Sequence, residues 1–139
     1  MKFARIVYGI AAAYGFVSLV PLYFLLDKVS HDAPPAVTHP EFYYGFVGVT
    51  LLWQMAFVLI AKDPLRYRSM MPIAILEKAV YTVPVVLLYL NGRVQGNILG
   101  SSLVDPVFGV LFIIAYFQVA AEKRSMAIAG RASATRSTD

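Results

Sequence analysis

The sequence predicts an all-α membrane protein, a bundle of four transmembrane helices with both termini cytoplasmic. Three observations lead there. Four apolar runs are each long enough to cross a hydrocarbon core of about 30 Å at about 1.5 Å of helix rise per residue. Hydrophobic residues make up 59% of the 139 and charged residues only 14%, where a soluble domain carries about 25% charged residues. Nine of the 12 Lys and Arg residues fall in the amino-terminal segment, at 62–69 and beyond 121. That distribution places those three segments on the cytoplasmic side.

The first run, Ile6 to Leu26, has 21 residues and no charge, and follows Lys2 and Arg5. It exceeds the about 7–15 residues of a signal-peptide core, and no small-x-small cleavage site follows it. It therefore reads as an uncleaved first helix, over about 4–26. Small residues at helical spacing, Gly9 with Ala13 and Ala11 with Gly15, allow a second backbone to come close. Pro21 is expected to bend the outer third. The 15 residues from Asp27 to Glu41 contain Pro34-Pro35 and read as an extended connection. His31, His39, Asp32 and Glu41 all lie near or within it. They could form a metal site at the membrane surface, but their spacing matches no ligand signature, and solvated loop histidines are the expected outcome.

The second helix, 42–61, is 20 uncharged residues opening with Phe42, Tyr43 and Tyr44 at the interface. Trp53 and Gln54 lie deep within it, where an indole N–H and a carboxamide need partners. Pro64 ends this helix, and Pro72 falls in the first turn of the third, 70–90, where a missing N–H costs nothing. Pro84 is an internal kink, and Asn91-Gly92 a stop. The fourth run, 98–124, contains Asp105-Pro106. Either one kinked helix spans it, with Asp105 in the membrane, or Asp105 caps a helix starting at Pro106. The second choice leaves about fifteen apolar residues, short for a span, so the kinked full helix is expected. Residues 1–127 then form the transmembrane domain and 128–139 a disordered cytoplasmic tail.

The third helix carries the adjacent pair Glu77 and Lys78 well inside its ends, which is expensive in hydrocarbon unless other groups surround it. Counting about 1.5 Å per residue puts Glu77 about 10 Å from the cytoplasmic edge, level with Gln54, Trp53 and Tyr14. These four are expected to meet in one layer. Tyr81 stands one turn above Glu77, within hydrogen-bonding range, and Lys78 is expected to snorkel to the headgroups. The same count puts Asp105 about 10 Å from the opposite edge, level with Ser18 and Thr50, too far from Glu77 to share a proton directly. Glu77 then has three readings. It is a proton relay or general acid; or interhelical glue bonded to Gln54 or Tyr14; or the partner of a cation in another subunit.

The absence of cysteine excludes disulfides, iron–sulfur clusters and thiol chemistry. There is no glycine-rich phosphate loop, no Ser-His-Asp set and no histidine within a helix to bind haem, so no cofactor is expected. The net charge of +4 follows from basic residues flanking apolar runs, which membrane topology explains without nucleic acid.

Tyr-Gly-Phe-Val-Gly at 44–48, Ile-Leu-Glu-Lys at 75–78 and Gly-Val-Leu-Phe-Ile-Ile-Ala-Tyr-Phe at 109–117 resemble stretches of the small DoxX-like bacterial membrane proteins, as does the four-helix design. That resemblance implies a bacterial inner-membrane location. Small multidrug-resistance transporters are similar in size and rely on an intramembrane Glu, but in the first helix, where this chain has no acid. Trp53, Glu77 and Asp105 are loosely similar to the acids and Trp of the sterol-isomerase-like group, without an alignable motif. The leading reading is non-catalytic: a membrane subunit or lipophilic-ligand binder. A proton-coupled transporter working as a dimer is the first alternative. An intramembrane isomerase or oxidoreductase-associated protein acting on a lipid, quinone or sterol-like molecule is the second. Expected partners are the bilayer, a lipophilic small molecule, and a second copy of the chain or another membrane subunit.

Overall fold

The computed structural model describes residues 1–32 and 34–136, with side chains described through Gly130. The backbone is helical, with no strand among the described residues. Helix α1 (Lys2–Leu19) passes into a 3-10 segment, Val20–Phe24. Then follow the short α2 (Leu26–Asp32), α3 (Pro40–Lys62), a 3-10 turn at Arg68–Met70, α4 (Met71–Leu90), the short α5 (Gly96–Ser102) and α6 (Val104–Arg136). Four stretches are long and apolar enough to cross a membrane: Lys2–Phe24, Pro40–Lys62, Arg68–Leu90 and Gly96–Gly130. Most of their large apolar side chains face outward, Val17, Phe42 and Leu90 each more than 70% exposed. In water that surface would be untenable; in lipid it is the contact surface.

Proline and glycine set the element boundaries. Pro40 and Pro72 sit in the first turns of α3 and α4, where no N–H is needed. Asp63, before Pro64, is extended and closes α3. At the end of α4, Gly92 takes φ +67°. Its N–H donates to the Tyr89 carbonyl at 2.9 Å, and the Arg93 N–H donates to that of Leu88 at 2.9 Å. This pair of bonds closes a helix around a left-handed residue, a position that glycine fills without strain. Helix α4 continues through Pro84. At Pro21 the chain instead tightens into the 3-10 segment, and Tyr43 Oη donates to the Leu22 carbonyl at 2.8 Å, tying that segment to α3.

Three expectations change. The connection predicted to be extended from Asp27 begins with α2, held by a Lys28–Asp32 ion pair one turn apart. The hydrogen bonds from Lys28 and then His31 hold the Asp32 carboxyl below the usual carboxylate range. The fourth run is not one kinked helix. It breaks at Leu103, because the Pro106 ring would collide with the Ser102 carbonyl, and Ser102 is the last residue of α5. Helix α6 then runs on through Arg136, past the boundary at 124; residues 137–139 of the expected tail lie outside the described residues.

The core occupies one half of the bundle. Tyr8 of α1 stacks on Phe112 of α6 with centroids 4.0 Å apart, and Phe57 of α3 meets Phe112 edge-on at 5.2 Å. Ala4, Ala11, Met71, Ala74, Ala115 and Val119 pack around these rings. The Met1 amine lies 2.7 Å from Glu122, so the start of α1 and the far part of α6 share one end. Lys2, Arg5, Lys62, Arg66 and Arg68 also belong to the segments at this basic end. Helix α1 packs against α3 and α6, and α6 against α4, but α3 and α4 scarcely touch. The ring of helices is open on that side.

Candidate functional site: a charged triad behind a lateral cleft

Beyond Phe57 the packing loosens into a cavity of about 380 Å³, bounded by α1, α3, α4, α5 and α6. Tyr14, Gln54, Glu77, Tyr81 and Asp105 all line it, and so does Lys78. Trp53 lines the adjoining cleft between α3 and α4, a groove of about 640 Å³ whose other walls are mostly apolar. Cleft and cavity share Phe46, Thr50, Glu77 and Tyr81. The cleft between α3 and α4 therefore reaches Glu77 from the outer surface of the bundle, and Lys78 and Asp105 lie in the cavity on the other side of these four residues.

The two acids are joined through one base. Lys78 Nζ donates to Asp105 Oδ1 at 2.8 Å and lies 3.0 Å from Glu77 Oε2. The lysine is buried, and its ammonium stands 5.2 Å from the centroid of the Phe57 ring. Two expectations are overturned here. Lys78 does not snorkel to the headgroups, and Asp105 is not isolated at a different depth from Glu77. The depth count treated 98–105 as one helix rising steadily along the membrane normal. The chain instead breaks at Leu103, and Asp105 lies in the first turn of α6, beside α4. A buried ammonium with two carboxylates in reach has no reason to seek the headgroups.

Gln54 makes no hydrogen bond to Glu77 among the described residues, the contact that the glue reading of that acid would use. Its Nε2 donates to the Thr50 carbonyl of its own helix at 3.0 Å. Its side chain packs so closely over Gly15 that a Cβ at that glycine would overlap it. Tyr14 approaches Phe108 with centroids 6.0 Å apart, and Tyr81 approaches Phe46 at 5.9 Å. Tyr81 stands beside Glu77 without a hydrogen bond to it among the described residues. Thr82 Oγ1 donates to the Lys78 carbonyl at 2.9 Å, bracing α4 above the triad.

The histidines lie elsewhere. His31 Nδ1 is 3.1 Å from Asp32, and His39 Nδ1 is 3.1 Å from Glu41, both exposed. Among the described residues, no group of three His, Asp or Glu side chains is placed to hold a metal ion. Sequence reasoning missed two things: Lys78 as the bridge, and the Tyr8 hydroxyl, buried in the core without a hydrogen-bond partner. For Lys78 the signal was present, since a lysine directly following Glu77 shares its depth. For Tyr8 nothing distinguished it from the other eight tyrosines.

In their charged forms, two carboxylates around one ammonium leave one negative charge in excess. A group entering the cavity is therefore favoured if it donates hydrogen bonds or carries positive charge. Fold and site together define a four-span membrane protein with a lateral cleft leading to an acid–base–acid cluster. No family model, no curated protein and no solved structure matches the chain.

Proposed function

We propose that this protein binds a lipid-soluble molecule that enters from the bilayer between α3 and α4. The apolar body lies along Val49, Trp53, Leu76 and Val80, and a hydroxyl or amine head meets the Glu77–Lys78–Asp105 cluster. The observation that carries this reading is that Phe46, Thr50, Glu77 and Tyr81 line both the apolar cleft and the charged cavity, so that Glu77 is presented to each. Ligand sites of this kind are mostly apolar with a few convergent polar groups. The clustering of Lys and Arg at one end supports a cytoplasmic orientation for that end, and hence for both termini. The resemblance to DoxX-like proteins supports a bacterial inner membrane.

Native mass spectrometry of the detergent-purified protein, supplied with a membrane lipid extract, tests the binding. Gly45→Leu narrows the cleft, because Gly45 lines it and a Cβ there would meet open space. Glu77→Gln removes one acid while keeping the side-chain shape. The wild type is expected to retain a defined lipophilic mass, and both variants to lose most of it. Equal occupancy in all three, or an empty wild type, would sink the reading.

A further inference from the structure

A second pocket, of about 180 Å³, lies at the basic end and is separate from the triad. The connection between α3 and α4 supplies Arg66, Arg68 and Ser69, and α6 supplies Tyr116 and Lys123. Three cations thus face one small space. Arg68 is held in place there: its Nη2 donates to Tyr116 Oη at 3.2 Å, and its guanidinium lies 4.9 Å from the centroid of that ring. Arg68 Nε is buried with no hydrogen-bond partner.

The two acids nearby, Asp63 and Glu122, do not line the pocket. Asp63 accepts the backbone N–H of Arg66 at 3.0 Å, and Glu122 takes the Met1 amine. Among the described residues none of the ion pairs involves Arg66, Arg68 or Lys123. The start of α4, a 20-residue helix, adds its positive dipole end close by. A preoriented guanidinium, an ammonium and a hydroxyl around an uncompensated positive space match the acceptor oxygens of a phosphate.

We infer that this pocket binds a phosphate group, and that the headgroup of an anionic phospholipid supplies it. The pocket stands at the start of the third candidate span, beside the basic part of α6, the end that the Lys and Arg distribution assigns to a membrane surface. Basic pockets between transmembrane helices take anionic headgroups in this way. A zwitterionic headgroup brings a cation against the same three bases and is disfavoured.

The test is native mass spectrometry of the full chain with phosphatidylglycerol, with phosphatidylcholine of the same acyl chains, and with inorganic phosphate as competitor. The wild type is expected to prefer phosphatidylglycerol by about tenfold, equivalent to about 1.4 kcal/mol. Arg68→Gln and Lys123→Gln should each bring that preference towards parity, and Lys62→Gln, outside the pocket, should leave it unchanged. Lys123 is exposed, so its variant reports on binding rather than on folding. Displacement of the lipid by millimolar inorganic phosphate would keep the site and assign it to soluble phosphate esters. No headgroup preference in the wild type would overturn the inference. So would an equal loss in Lys62→Gln, which would reduce the effect to general surface charge.

Discussion

Gly15 and Gln54 show how one missing methyl group sets the distance between two helices. The Gln54 side chain occupies the space a Cβ at Gly15 would need, and it is buried and tied to the Thr50 carbonyl. Gly15→Ala therefore forces α1 away from α3 or drives the carboxamide out of its hydrogen bond. We expect a loss of about 1–3 kcal/mol, the usual range for overpacking. A lower melting temperature in a fixed detergent should report it. Gln54→Ala in the same chain should restore part of the loss, and a double-mutant cycle should return a coupling well above the additivity error. The small-residue spacing in the sequence pointed to two pairs. Ala11 and Gly15 are buried at this contact, whereas Ala13 is exposed and Gly9 has open space beside it. Spacing alone identifies residues that permit close approach; which face meets a neighbour depends on where the other helices lie.

Among the elements, α4 and α6 are held to each other by charge as well as by packing. The Lys78, Glu77 and Asp105 side chains are 10%, 15% and 25% exposed, so little solvent screens them. Lys78→Met would leave two carboxylates facing each other without their cation. Removing one partner of a buried pair costs about 3–5 kcal/mol, and Lys78→Met should lower the thermal midpoint accordingly. Lys78→Met with Asp105→Asn should recover more than half of that loss. An unchanged midpoint in the single variant would show that the ammonium contributes nothing to holding α4 against α6. The four spans were legible in the sequence because each is a charge-poor run bounded by proline, glycine or base. The triad was legible only in part. The depth of Glu77 could be counted along an unbroken helix, whereas the depth of Asp105 depended on the break that Pro106 imposes at Ser102 and Leu103. Rise per residue fixes depth only while the helix axis keeps its direction.

At the scale of the whole molecule, the bundle is two different materials end to end. The half nearest the basic end is a dry aromatic core, with Tyr8, Phe57 and Phe112 fully buried. The other half is hollow, mostly apolar in its walls but holding the charged triad, and a cleft opens beside it between α3 and α4. Composition announced a membrane bundle but not this division, because the aromatic residues that close one half differ in no local pattern from those that line the other. Reconstituted liposomes should hold a proton gradient as long as protein-free ones. A leak rising with protein content would show that the core opens. Phe57 is at once the roof of the closed half and the floor beneath Lys78. The cavity is therefore stopped at the basic end: any passage from one side of the bilayer to the other through the middle of this bundle must first unstack Tyr8 from Phe112.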